Sequence, residues 1–432
     1  MPLRIVATKP NPALVTLPWG KPLEEWEDEL FLPLPRGISR HVVRIVRLGQ
    51  DVYAVKETRE AMAFREYRML RDLQRLGLPT VVPVGVVHGR ETPDGEEIEP
   101  ALLTQHLRYS LPYRSLFSHG MRADSLPRLI DALAVLLVRL HLTGFFWGDV
   151  SLSNVLFRRS AGEFAAYLVD AETGELHPSL SEGQRNHDLT VAYENLYGEL
   201  LDLQAGGLLD ERVDPDSTVE RIRTRYDALW QELTGTEEFD AAELWRIEQR
   251  IEHLNELGFD VDELDIVTDW PRSTVRLQPK VVEAGHHSRD LQGLTGLDVE
   301  DNQARRLLND IASFTAQFDL GGEDRAVVAQ RWLTTVYDPI LSMVPEELRG
   351  KLEPAEIFHE ILEHRWYLSE RAGKEVDIKV AAQSYIDTVL AKRPEELITT
   401  SDDPELLMPP APMDTGEIEQ VNETLRDETP RR

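Results

Sequence analysis

Apolar side chains stand at strand-like spacing from Arg40 to Arg47 and again from Val52 to Lys56, and Leu48-Gly49-Gln50-Asp51 between them supplies a turn. The spacing then becomes helical: Glu60-Ala61-Met62-Ala63-Phe64-Arg65-Glu66 through Leu73 predicts a helix directly after the strand pair. Ala101-Leu102-Leu103-Thr104-Gln105-His106-Leu107 reads as an apolar strand leaving into a loop, and Gly89 to Gly95 as a turn between strands. Leu129, Leu133, Leu136, Leu137 and Leu140 form a helical stripe ending at His141, with Ser125 as N-cap and Pro127 in the first turn. Val155-Leu156-Phe157 and Ala166-Tyr167-Leu168-Val169 read as two short strands, and Arg158 to Glu163 provides their turn. Charged helical segments follow at about 215–233 and 240–256. From Trp270-Pro271 the pattern changes. Ser273 to Val282 reads as extended and broken at Pro279, and several helices then run to about Lys392. One of these, 355–371, ends near Gly373, and Asp377 opens the next. Leu23 to Leu30 predicts a short helix, and the stretch from Ser401, rich in acid and Pro with few large apolar residues, is expected to be disordered.

Composition narrows the chemistry. The 432 residues leave room for a two-lobed domain and a second domain. With no cysteine, disulfides, thiolate nucleophiles and cysteine-bound zinc are excluded, and the chain suits a reducing, cytoplasmic setting. The start, Met1 to Pro10, lacks the apolar core of a signal peptide, and the longest apolar run, Ala132 to Val138, is too short to span a bilayer. A formal charge of −30 argues against nucleic acid and anionic membrane surfaces as partners, and disfavours a strongly anionic acceptor.

The chemistry-bearing pattern is Asp149, then Asn154 five residues later, then the short hairpin, then Asp170. Such a hairpin brings Asn154, before its first strand, beside Asp170, after its second, so that two oxygen ligands face one Mg²⁺. Asp149 in the preceding loop is left to orient an acceptor hydroxyl. Upstream, Lys56 closes an apolar strand, which suits an ammonium aimed at the α- and β-phosphates of ATP. Glu66 on the following helix is placed to reach back to Lys56, with Glu60 as a competitor, and the strand at 101–107 is where a hinge would present backbone groups to adenine. The order strand pair, Lys, helix with Glu, hinge strand, helix, Asp and Asn, hairpin, Asp predicts a kinase-like arrangement.

The stretch from about Gly37 to Tyr197 resembles the protein-kinase-like superfamily, nearer its small-molecule and lipopolysaccharide-kinase branches. Leu140-His141-x-x-Gly144-x-x-x-Gly148-Asp149-x-x-x-x-Asn154 is similar to the loop of aminoglycoside- and sugar-type phosphotransferases. The whole chain resembles bacterial proteins in which a lipopolysaccharide-kinase-like half precedes a domain of unknown function. The resemblance implies ATP and Mg²⁺, with Asp149 as catalytic base, Asn154 and Asp170 as metal ligands, Lys56 and Glu66 as the phosphate-holding pair, and Gly37 and Ser39 in the nucleotide-covering loop.

The implied fold is α+β. It comprises an N-terminal arm (1–35), a β-rich N-lobe (36–108), a helical C-lobe (109–269), a mainly helical C-terminal domain (270–398) and an acidic tail (399–432). There are departures from the family pattern. Trp147 replaces a His two residues before Asp149, no Arg precedes Asp149, and Ser151 stands where Ser/Thr kinases place a lysine. Ala171-Glu172 replaces Phe-Gly, the covering loop has one glycine, and only ten residues separate Lys56 from Glu66. These bear on acceptor and rate more than on fold.

Several residues are read as scaffold. His141 is expected to be buried and hydrogen-bonded, and Trp147 to pack beneath the loop. Asp188 is expected to accept N–H bonds from the catalytic loop, with a helix N-cap as its alternative role. His359 and His364 in His359-Glu360-Ile361-Leu362-Glu363-His364 lie about 140° apart on a helix, so they do not share a zinc ion. His286-His287 reads as a solvated loop. Two functions remain open: an ATP-dependent phosphotransferase acting on an unidentified small-molecule or protein hydroxyl, or a pseudokinase-like adaptor binding a protein through its C-terminal domain. Transfer of AMP to a protein is a variant of the first.

Overall fold

The computed structural model describes residues 3–8, 11–27, 30–32, 41–48, 51–118, 125–209, 211, 213–235, 237–240, 249, 259–269 and 274–393, the strands between 237 and 284 by backbone alone. Gly37 and Ser39, nearly all of the expected helix at 240–256, Trp270-Pro271 and the tail beyond 393 lie outside these residues.

The N-lobe is a five-stranded antiparallel sheet of β1 (Arg4–Ala7), β2 (Val43–Leu48), β3 (Asp51–Glu57), β4 (Val82–His88) and β7 (Ala101–Gln105), in the order β1-β4-β7-β3-β2. A two-stranded ribbon, β5 (Arg90–Glu91) and β6 (Glu97–Ile98), interrupts the chain between β4 and β7. Successive strand residues turn to opposite faces, and the two faces have different covers. Val86 and Leu102 pack with Ala63 and Tyr67 of α1 (Glu60–Arg75), while Val87 and Leu103 pack with Leu14, Trp19, Leu23 and Trp26. The segment read as an arm is therefore built into the lobe, supplying an edge strand and part of the core on one face of the sheet. Among the described residues, the stretch expected as a short helix at 23–30 begins as a 3₁₀ turn, Leu23–Glu25. Buried Arg90 fastens this segment. Its guanidinium donates to the carbonyls of Trp19 (3.1 Å), Lys21 (2.6 Å) and Glu99 (2.7 Å), and to Glu57 Oε1 (2.6 Å), which also accepts the Leu23 N–H.

The C-lobe begins with β8 (Ser110–Pro112) and α2 (Tyr113–Ser118), and centres on α3 (Leu126–Leu142), whose apolar stripe is fully buried. Ser125 is its N-cap residue but makes no capping bond through its side chain. The chain continues through β9 (Phe145–Phe146), the hairpin β10 (Val155–Ser160) and β11 (Glu163–Leu168), and β12 (Glu175–Leu176). It ends with α4 (Glu182–Ala205) and α5 (Pro215–Thr234). The lobes are laced beside the site, because Leu168 donates its N–H to Pro79 O (2.9 Å) and accepts from Val81 N–H (3.0 Å).

A three-stranded sheet follows α5. β13 (Glu237–Asp240), β14 (Phe259–Asp269) and β15 (Thr274–Ala284) form a sheet in the order β13-β15-β14. Residue 270, the expected boundary, falls between the two strands of one hairpin. β15 also runs unbroken through Pro279. β13 covers only Thr274 to Leu277, so Pro279 has an open flank, where a residue without an N–H is tolerated. His286 and His287, read as a loop, open the helix His286–Thr295. The helices Asp301–Gln317, Arg325–Trp332, Pro354–Ala372 and Ile378–Thr388 complete a core around Trp332, Tyr337, Phe358 and Tyr385. Gly373 (φ +62°) and Asp377 take the expected cap positions. His359 pairs with Glu363, and His364 bonds Ser384 Oγ at 3.0 Å, so the two histidines serve different partners. Among the described residues no helix is long and apolar enough to cross a membrane.

Candidate active site

The loop carrying Asp149 is fixed from below by α3 and α4. Gly144 (φ +81°) turns the chain out of α3 so tightly that a Cβ would sit 2.0 Å from His177 O, which restricts the position to glycine. Trp147 is completely buried under the loop, and its indole N–H donates to Asp170 O (3.1 Å). Asp188 lies in the second turn of α4, behind a Ser181–Gln184 capping box, so it is not an N-cap. Its carboxylate accepts the N–H groups of Trp147 (2.9 Å) and Gly148 (2.7 Å) and meets His141 Nε2 at 3.0 Å. His141 Nδ1 lies 2.8 Å from the Tyr226 hydroxyl. Burial lowers the His141 pKa, with Asp188 opposing, and the neutral ring donating to Asp188 and accepting from Tyr226 satisfies every group.

Two further α4 side chains hold the loop, and neither was singled out in the sequence. Asn195 donates to Val150 O (2.9 Å), and Glu199 accepts from Leu152 N–H (2.9 Å) and Ser153 N–H (2.8 Å). Asp188, Asn195 and Glu199 are seven and eleven residues apart, which puts all three on one face of the helix. That spacing is the signal that could have found them. Burial raises the Glu199 pKa, although its hydrogen bonds oppose the shift. With the loop so fixed, Asn154 Nδ2 donates to Asp149 O (3.0 Å) and Asp149 Oδ2 (3.2 Å).

The hairpin joins this loop to Asp170. Val155 pairs with Leu168, and Val169 N–H donates to Asn154 O at 3.0 Å, so Asn154 and Asp170 flank the same ladder end. Asp170 meets the N-lobe there. Lys56 Nζ lies 2.7 Å from Asp170 Oδ2, 3.0 Å from Glu66 Oε2 and 3.0 Å from Glu172 Oε2. The ten-residue link does close the lysine–glutamate pair, because α1 starts three residues after β3 and carries Glu66 inward. Glu60 instead stays near solvent beside His88.

An ammonium has three N–H bonds, and each of these meets a carboxylate. Burial alone would lower the Lys56 pKa, but Glu66 and Asp170 outweigh it and hold the lysine above its ordinary value. Glu66, almost fully buried, is pushed up to about 8, chiefly by burial, with Asp170 adding and Lys56 opposing. Glu172 also faces His41 Nε2 at 3.1 Å. The sequence reading took Glu172 only as a departure from Phe-Gly; here it is the third carboxylate on the lysine. Glu66, Asp170 and Glu172 offer oxygens within 4.8 Å of one another, and the Lys56 ammonium sits among them.

A family model described as the lipopolysaccharide kinase (Kdo/WaaP) family matches residues 41–203, the segment that carries Lys56, Glu66, Asp149, Asn154 and Asp170. A second model, a domain of unknown function (DUF4032), matches residues 228–390, starting inside α5 and taking in the hairpin around residue 270. The 3-deoxy-D-manno-octulosonic acid kinase of Xanthomonas oryzae pv. oryzae (strain PXO99A) is 29% identical over 202 residues, covering 46% of this chain and 74% of that protein. The protein of the same name from Stenotrophomonas maltophilia (strain K279a) is 25% identical over 213 residues, covering 47% of this chain and 77% of that one. A solved structure described as WaaP in complex with acyl carrier protein aligns with a TM-score of 0.32 and 16% identity, over 59% of this chain and 99% of that chain. Residues 41–203 thus match the lipopolysaccharide kinase (Kdo/WaaP) family, and residues 228–390 match the DUF4032 family.

Proposed function

We propose that the kinase-like domain transfers the γ-phosphoryl group of ATP, with Mg²⁺, to an acceptor hydroxyl. The observation that carries this reading is Lys56 held between Glu66 and Asp170 at the mouth of the hairpin that begins at Asn154. Asn154 and Asp170 would hold the metal, and Mg²⁺, when bound, would neutralise charge on the phosphates. Lys56 fixes the α- and β-phosphates and Glu66 fixes Lys56. Asp149, tied to Asn154, orients the acceptor hydroxyl and takes its proton as the oxygen–phosphorus bond forms and ADP leaves. Such catalysis works through positioning and electrostatics in a pre-arranged site. The relatives are named as kinases of a sugar acid, so a saccharide hydroxyl is the first acceptor class to test.

Metal-dependent nucleotide binding tests the site itself. ATP with Mg²⁺ should raise the melting temperature of the full chain, and Asp170→Asn should abolish the shift. An equal shift in the variant would remove Asp170 from the metal site.

A second reading, a nucleotide-sensing adaptor, draws on the saturation of Lys56 by three carboxylates, since a phosphate reaches the lysine only by displacing one of them. AMP transfer to a protein would use the same residues, and the position of the label in ATP separates it from phosphoryl transfer.

A further inference from the structure

The hairpin that ends in the proposed metal site is gripped at its other end by the second domain. Arg158, four residues along β10 from Asn154, forms ion pairs with Glu300 (2.9 Å) and Glu353 (2.6 Å). Across the ladder, the Tyr167 hydroxyl donates to the same Glu300 oxygen at 2.6 Å, and the guanidinium lies over the Tyr167 ring. At the turn, Ala161 holds φ at +52° and donates its N–H to Glu356 Oε2 (2.8 Å); Ala161 and Glu356 are both 3% exposed. Gln303, also buried, donates to Arg159 O (3.2 Å) and to Glu356 Oε2 (3.1 Å). Glu300 and Glu353 are themselves N-cap residues of the helices Asp301–Gln317 and Pro354–Ala372, and Glu356 lies in the first turn of the latter. Two helix starts therefore converge on one side of one hairpin.

Burying charge is a costly way to join two domains, because apolar contact gives comparable adhesion without desolvating ions. What an Arg fork shared between two fixed carboxylates adds is geometry, since its donors are planar and rigid. The hairpin transmits that geometry. Leu156 and Arg158 alternate onto one face of β10, which begins directly after Asn154, while Val155 and Phe157 are buried in the C-lobe core. Tyr167 stands three residues before Asp170, and the six-pair ladder closes on the Val169 to Asn154 bond.

We propose that Arg158 is a positioning residue for the phosphotransfer site. Through Glu300 and Glu353 the second domain sets the placement of the hairpin, and the hairpin sets Asn154 and Asp170. The inference rests on the reading of Asn154 and Asp170 as metal ligands.

The test is the Mg²⁺ concentration that gives half of the ATP-induced thermal shift in the full chain, measured for wild type, Arg158→Met and Tyr167→Phe, with metal-free ATP binding measured alongside. Arg158→Met should raise the Mg²⁺ requirement about tenfold, the usual effect of losing a residue that orients metal ligands, and Tyr167→Phe about threefold. Metal-free ATP binding should be unchanged in both. Tyr167→Phe removes only a hydroxyl and keeps the test usable if Arg158→Met does not fold. A wild-type Mg²⁺ requirement in the folded variants overturns the positioning role and leaves the metal site standing. No Mg²⁺-dependent shift in the wild type overturns the metal-site reading, and the inference with it.

Discussion

Lys56 shows how far a single residue can be read. Its place at the end of an apolar strand marks it as the expected phosphate lysine, and the helical spacing after it puts Glu66 in reach. Both side chains do converge, and Glu60, the competitor, is turned to His88. Glu172 is not legible in the same way, because at position two after Asp170 it stands only as a departure from Phe-Gly. Its role comes from a short turn, in which Glu172 N–H donates to Asp170 Oδ1 and its own carboxylate is brought onto Lys56. Of the three carboxylates on the lysine, Glu66 is buried in α1 and Asp170 is the one proposed as a metal ligand, so on that reading Glu172 is the one to yield to phosphate. Glu172→Gln should therefore tighten metal-free ATP binding about tenfold, equivalent to about 1.4 kcal/mol. Weaker binding of ATP in the absence of metal, read by calorimetry, would show that Glu172 assists the nucleotide and does not compete with it.

Among the elements, those with strong periodicity were legible. α1, α3 and the β10–β11 hairpin follow from apolar spacing and from the Gly162 turn. Less was legible where an element depends on partners distant in sequence. β1 is four residues long and is a strand only because β4 accepts it along the sheet edge, and β15 passes through Pro279 because its neighbour stops short. α4 illustrates the same limit for function, since the sequence pointed to Asp188 alone. The brace is a face of the helix, made also by Asn195 and Glu199, and it acts across more than forty residues with no local pattern. Replacing Glu199 by Gln keeps its shape but lets only one side-chain oxygen accept from the backbone of Leu152 and Ser153. The variant should lose about 1–3 kcal/mol of stability, seen as a lower urea midpoint, and should lower turnover more than nucleotide affinity. An unchanged midpoint would mean that the catalytic loop keeps its shape without this carboxylate.

At the scale of the whole molecule, the sequence order of strand pair, helix, hinge strand, helix, loop and hairpin was enough to expect a two-lobed kinase-like fold with a second domain behind it. It did not reveal that residues 12–26 complete the N-lobe core, or that Glu300 and Glu353 reach back to the β10–β11 hairpin, because both depend on packing between distant segments. The net charge of −30 also concealed local opposites, among them the Arg158 pairs that join the two units.

The central claim, that this assembly moves a γ-phosphoryl group, is tested most directly by incubating the full chain with Mg²⁺ and either [γ-³²P]ATP or [α-³²P]ATP, with a panel of saccharides, protein acceptors and the chain itself. The account predicts γ-label in an acceptor or in released phosphate and no α-label. It also predicts that Asp149→Ala cuts this transfer by about 10²–10⁴-fold while keeping the Mg²⁺·ATP thermal shift. Transfer of α-label, or wild-type protein that binds ATP but moves label to no acceptor and not to water, would contradict it.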